Sequence, residues 1–292
     1  MMDPRLSDIV IAVMGPTGSG KSNFVNKLTG SKEEKGANKL QSCTKGIRVF
    51  NVDRSGQHYV FVDTPGFDST YRSDRDILRT IAEWLETTYR GGVKLAGVIY
   101  THRITDNHMP ASACKNVDMF RRVCGNKAAA QIRFVTTMWD RVRDRNIAES
   151  RLSELEHIFW QPLIEEGARH EKFSNTQQSA WDIIRGLGED KETLLLQEEL
   201  VDAERRLNET TAGKALYTQF QKLLQAQRET VKQLSQDARA QKDPDLAREL
   251  QAKYEKIEAQ LRETMEDIES LRIPLGRRIA LFFAKKPHAH KI

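Results

Sequence analysis

An apolar run, Ile9-Val10-Ile11-Ala12-Val13-Met14, leads directly into Gly15-Pro16-Thr17-Gly18-Ser19-Gly20-Lys21-Ser22. No other stretch constrains the fold as strongly. The spelling G-x-x-x-x-G-K-S needs a strand before it and a helix after it, and Lys21 to about Leu28 supplies the helical pattern. Glycines at 15, 18 and 20 let the backbone curl with its N–H groups pointing inward, toward a phosphate. The helix that follows adds free N–H groups and the positive end of its dipole. Lys21 is expected to reach the β- and γ-phosphates, and the Ser22 hydroxyl to ligate Mg²⁺. Gly15, Thr17, Gly18, Ser19, Gly20, Lys21, Ser22 and Asn23 form the candidate nucleotide-binding set. The alternative is a chance glycine-rich turn.

Downstream, apolar runs alternate with amphipathic stretches, the pattern of a doubly wound α/β domain. Ser31 to Gln41 is charged and without period, and reads as a loop; Ile47 to Val52 resumes as a strand. Tyr59-Val60-Phe61-Val62-Asp63 reads as a buried strand ending in Asp63-Thr64-Pro65-Gly66. An aspartate at that end is placed to hold the hydration shell of Mg²⁺, and the Gly66 N–H to meet a γ-phosphate. Ser73 to Tyr89 is an expected helix with Ile77, Ile81, Trp84 and Leu85 on one side. Leu95 to Tyr100 is a strand running into Thr101-His102-Arg103-Ile104-Thr105-Asp106, and Ala113 to Cys124 a helix. Gln131 to Thr136 is a strand entering Thr137-Met138-Trp139-Asp140. A helix is expected from about Asn146 to Ile164, with Leu152, Leu155, Ile158 and Phe159 inward. Arg169 to Phe173 is the last strand, and Ser179 to Gly186 a closing helix.

With 292 residues, 39% hydrophobic and 30% charged, the chain has room for one such domain and a very polar second part. A net charge of +5 reflects solvated helix faces more than nucleic-acid binding. Three cysteines, Cys43, Cys114 and Cys124, form no C-x-x-C pair and suit a reducing, cytoplasmic setting. No apolar stretch approaches the length of a membrane span.

Taken together, Gly15 to Ser22, Thr44, Asp63 to Gly66 and Thr137 to Asp140 resemble the septin-like GTPases of the P-loop (TRAFAC) class, and among them the GTPases of immunity-associated proteins (GIMAPs). D-T-P-G before a hydrophobic residue and T-x-x-D in place of N-K-x-D favour that branch, and Arg103-Ile104-Thr105-Asp106 is similar to its R-F-T-x-x-D segment. The resemblance covers about Ile9 to Leu187. The whole chain is also similar to fungal G-domain proteins with a trailing helical region. The resemblance implies GTP/GDP and Mg²⁺ as cofactors. It implies that Thr44 ligates Mg²⁺ near the γ-phosphate, its alternative being a turn threonine at the strand entry. It implies that Asp140 accepts from both N–H donors of guanine, against an alternative role as a helix cap. Thr137 and Met138 replace the usual asparagine and lysine, and Met138 still offers an apolar face to the base. Asn175, after the last strand, is a candidate base contact. Ras-like proteins orient the attacking water with a glutamine where this chain has Phe67. Members of the resembled group pair across their nucleotides, which makes Arg103 a candidate catalytic finger, against a solvent-exposed, salt-bridged arginine.

The boundaries expected are a GTPase domain over 1–188 and a helical, coiled-coil-like hairpin over 189–292. Leu200, Ala203 and Leu207 have helical spacing, and Leu216, Phe220, Leu223 and Leu234 resume it after Thr211-Ala212-Gly213. Beyond Asp243-Pro244-Asp245, the seam is Leu250, Ile257, Thr264 and Leu271 with Tyr254, Leu261 and Ile268. The basic, apolar end from Arg277 to Lys286 could touch an anionic membrane or dock on the domain. The expected function is a GTP-hydrolysing switch acting as a homodimer. A GTP-binding scaffold with little hydrolysis and an ATP-using P-loop enzyme are the alternatives.

Overall fold

The computed structural model describes residues 4–30, 46–67, 72–106, 111–240, 244–275 and 277. Thr44 and the tail beyond Arg277 lie outside them. The chain divides into two compact units, 1–205 and 206–292.

The first unit is a six-stranded mixed sheet between helices. Its elements run β1 Ile9–Met14, α1 Lys21–Thr29, β2 Arg48–Arg54, β3 Gln57–Asp63, α2 Asp74–Arg90, β4 Gly97–Arg103, α3 Ala111–Cys124 and β5 Ile132–Thr137. Then come α4 Arg145–Glu154, α5 Gln161–Ile164, β6 Arg169–Lys172, α6 Gln177–Ile184 and α7 Leu195–Gln197. The strand order is β2-β3-β1-β4-β5-β6. Among the described strands only the β2–β3 pair is antiparallel; β1 lies parallel between β3 and β4, in register Val13↔Asp63 and Val13↔Ile99. With helices on both faces, the central strands carry apolar residues on both sides, so β1 and β5 are buried throughout. One face is filled by Ile11, Val13, Phe24, Leu28, Phe61, Phe173, Trp181 and Ile184. Tyr100, Phe120, Phe134 and Trp160 form a second aromatic group, with Phe134 and Trp160 stacked 4.6 Å apart.

Ser73 starts α2 by accepting from the Asp76 N–H at 3.3 Å, and Ile77, Leu78, Ile81 and Leu85 are its buried face. The single helix expected over 146–164 is broken. After α4 a π turn runs Leu155–Phe159, and α5 starts one residue before Pro162. Proline has no N–H for the helical ladder, and the wider turn upstream absorbs the mismatch. The break turns Ile158 out to solvent and sets Trp160 inside, reversing the expectation for Ile158.

Residues 189–205 pack on the α/β unit rather than continuing into the helices. Glu192 bridges to Leu95, Gln131 Nε2 donates to Asp190 O at 2.8 Å, and Gln197 Nε2 donates to Leu85 O at 3.2 Å. Leu200 is buried in a π turn and Ala203 is exposed, so the spacing of Leu200, Ala203 and Leu207 does not mark one helix.

In the second unit, α8 Thr211–Ala240 and α9 Pro244–Leu271 form an antiparallel pair. Its open end is tied by Glu209, which accepts from Arg277 Nε at 2.7 Å and Nη2 at 3.1 Å. On α9 positions 247, 250, 254, 257, 261, 264, 268 and 271 are covered, the alternating three–four spacing read from the sequence, with Thr264 seated among them and Glu258 and Asp267 half-covered beside them. On α8, Leu216 and Phe220 are buried, but Leu223 is exposed and Leu224 takes the inward place. Among the described residues, no helix is long and apolar enough to cross a membrane.

Candidate functional site

β1 ends at the loop Gly15–Gly20, and α1 begins at Lys21 with no side-chain cap, leaving its first N–H groups facing the loop. Gly15 has φ +136°, and a methyl group there would lie 2.5 Å from Thr101 O, so only glycine fits. The Lys21 ammonium turns back into the loop, donating to Gly15 O at 2.9 Å and Pro16 O at 2.8 Å. Burial pushes its pKa down to about 8, partly opposed by the Asp63 carboxylate. A cation desolvated at the mouth of an N–H-lined loop suits a polyphosphate.

Ser22 Oγ donates to Asp63 Oδ2 at 2.8 Å, joining the first turn of α1 to the end of β3. This pair of hard oxygen donors fits Mg²⁺, which binds through one or two protein groups, waters and substrate phosphates. The segment after Asp63 is fastened to the loop as well. Thr64 Oγ1 donates to Val13 O at 2.9 Å, the Thr17 N–H donates to Phe67 O at 3.0 Å, and Thr17 Oγ1 donates to Gly66 O at 3.2 Å. A methyl group at Gly66 would stand 2.6 Å from Lys21 Nζ, so this glycine closes directly on the lysine. Phe67 is buried and offers the site only its backbone.

Two threonines near the C-terminal ends of their strands hold the loop from beneath. Thr101 Oγ1 donates to Ser19 Oγ at 2.6 Å, while Ser19 Oγ donates to Pro16 O at 2.8 Å. Thr137 Oγ1 donates to Ser19 O at 2.8 Å. Thr137, a candidate nucleotide contact, thus braces the phosphate loop. Thr101 belongs to no motif, and its only signal in the sequence is a position near a strand's C-terminal end.

Met138 follows at φ +62°, and Asp140 stands exposed in a 3₁₀ turn, Trp139–Arg141. Asp140 caps no helix: α4 is capped by Asp144, which accepts from the N–H groups of Asn146 and Ile147. The turn rests on a half-buried relay. Trp139 Nε1 donates to Thr136 Oγ1 at 2.9 Å, and Thr136 Oγ1 donates to His170 Nε2 at 2.9 Å. His170 Nδ1 lies 2.9 Å from Glu156, which the π turn delivers. Burial and the nearby Lys172 hold the His170 pKa down to about 4, so it serves as a neutral link. His102, also buried, is held at about 4 by desolvation. Asn175, at φ +59° after β6, accepts from Asn23 Nδ2 at 2.9 Å, joining two candidates at the far side of α1. Arg103, at the end of β4, is ion-paired with Asp106.

Residues 10–108 match the family model described as 50S ribosome-binding GTPase. GTPase Era of Agrobacterium fabrum is 36% identical over 90 residues, which is 30% of this chain and 26% of that protein. The probable GTP-binding protein EngB of Bdellovibrio bacteriovorus is 33% identical over 89 residues, 30% of this chain and 42% of that protein. The chain therefore spans between about a quarter and two-fifths of the curated relatives it matches. Toc33 from Arabidopsis thaliana, solved with Mg²⁺ and GMPPNP, superposes at TM-score 0.46 and 16% identity over 69% of this chain and 87% of that one. Residues 10–108, the span of that family match, contain the phosphate loop and the Asp63 segment.

Proposed function

We propose that the protein binds GTP and GDP with Mg²⁺ and hydrolyses GTP to GDP and phosphate, acting as a switch. The observation that carries this is the joining of Lys21, Ser22, Asp63 and Gly66 around one loop, with the Asp63 segment fastened to it through Thr17. Lys21 would lie along the β- and γ-phosphates, and Ser22 and Asp63 would hold Mg²⁺, which neutralises phosphate charge. The Gly66 N–H, beside Lys21, would read the γ-phosphate; its loss on hydrolysis would release the segment. Asp140, free of any capping duty, would accept from guanine. Thr44 remains a proposed Mg²⁺ ligand.

With Phe67 buried where a water-orienting side chain would stand, a single copy has no polar group at that position and hydrolysis is slow. Pairing of two copies across the nucleotide face, as in the septin and GIMAP branch that D-T-P-G-F and T-x-x-D suggest, would supply what is missing. The same phenylalanine favours a second reading, a GTP-binding scaffold with little hydrolysis. A cytoplasmic location accords with the sparse cysteines.

Single-turnover hydrolysis of GTP and of ATP, at rising protein concentration, tests the proposal. GTP cleavage that grows per molecule with concentration, and falls to the ATP level in Asp140→Ala, supports a guanine-specific pairing enzyme. Binding without cleavage at every concentration leaves the scaffold, and preference for ATP overturns both.

A further inference from the structure

Arg103 ends β4, and the chain then turns so that the Asp106 N–H donates to Arg103 O at 3.3 Å. Asp106 Oδ1 is 2.5 Å from Arg103 Nε. A guanidinium held through Nε still has its terminal N–H groups to offer, and their direction is fixed by the bond behind them. Here Nη1 lies beside the phosphate loop of the same chain: a methyl group added at Gly18 would lie 3.4 Å from Arg103 Nη1. Gly18 is at the tip of that loop, with φ +79°. The arginine side chain is 45% exposed and Asp106 22%, so the fork is open to solvent while its anchor is mostly covered.

We propose that Arg103 binds the phosphates of the nucleotide held in its own chain, and that Asp106 is the positioning residue that aims it. This rests on the guanine-nucleotide reading and differs from a finger offered to a second copy. One carboxylate on Nε and one phosphate on Nη1 and Nη2 use opposite sides of a planar fork. A lysine, with its single ammonium, cannot serve both at that separation.

The test is titration of a fluorescent GDP into the full chain at nanomolar protein, where copies are separate. Loss of a charge-assisted hydrogen bond predicts that Arg103→Ala and Arg103→Lys weaken binding by about tenfold. Asp106→Ala should weaken it in the same direction. Asp106→Asn, whose Oδ1 still accepts from Nε, should restore it, which a merely structural acid would not allow. Unchanged affinity in Arg103→Ala overturns the proposal. So does recovery of hydrolysis when Arg103→Ala is mixed with Lys21→Ala, because the second chain's arginine would then be acting across the pair. Absence of guanine-nucleotide binding by the wild type overturns the broader reading as well, and that is known before any variant is compared.

Discussion

Raising the pH through Lys21's own titration should loosen nucleotide binding while tightening the free fold. Lys21 is only 6% exposed, and its pKa is brought from 10.5 to about 8 by that burial. A bound polyphosphate restores the charged form, so the nucleotide complex takes up the proton that the free loop has shed. At pH 8 half of the free molecules lack it, and binding should draw in about half a proton per nucleotide. By pH 9 one unit of titration has been passed, which weakens affinity about tenfold, or about 1.4 kcal/mol. The free protein should respond in the opposite sense. Between pH 8 and 10.5 the unfolded chain still binds the lysine proton and the folded chain does not, so stability rises with pH across that window. Calorimetry of GDP binding at pH 8, in two buffers of different ionisation enthalpy, gives the proton count directly. No uptake at pH 8, with level affinity from pH 7 to 9, would refute the reasoning. It would mean that the carbonyls of Gly15 and Pro16 keep the ammonium charged without any phosphate.

Three further outcomes are open to measurement. Gly15→Ala forces a side chain against Thr101 O in a left-handed backbone and should cost on the order of 2 kcal/mol in thermal or urea unfolding while abolishing nucleotide binding; full binding would refute the stated loop geometry. Thr137→Val removes the bond to Ser19 O and should cost about 1 kcal/mol, with a several-fold loss of GDP affinity in the same titration. For His102, whose pKa falls from 6.5 to about 4 on burial, folding stability is intact above pH 6.5 and is lost as pH drops toward 4. His102→Leu should remove about 2 kcal/mol of that acid sensitivity, read from urea midpoints at pH 7 and pH 5.

What could be read from the sequence was what the chain encodes locally. The strand, loop and helix around Gly15 to Ser22 follow from apolar residues, glycines and a lysine within a short span. The α9 stripe, Thr264 included, follows from one period repeated without interruption. The failures have a common origin in contacts that no local pattern records. Leu223 has helical spacing but faces solvent, because its neighbour Leu224 is the one turned toward α9. Pro162 is visible in the sequence, yet the π turn that compensates for it, and so delivers Glu156 to His170, depends on how β6 is placed. Asp140's freedom from capping emerges only once Asp144 is seen to do that work. Residues 189–205 carry helical composition, and Gln197 and Leu200 nevertheless find their partners on the α/β unit.

The bonds that shape the phosphate loop reach progressively farther along the chain. Ser22 to Asp63 spans 41 residues, Ser19 to Thr101 spans 82, and Ser19 to Thr137 spans 118. The motif that is most local in spelling is therefore completed by contacts of long sequence separation, the kind whose closure is slow. On the ribosome, a nascent chain shorter than residue 137 holds every residue of the loop but not the brace beneath it. Nucleotide capture would then begin only after β5 has emerged and docked, making the bound nucleotide a late seal on a sheet already assembled rather than a template for its assembly.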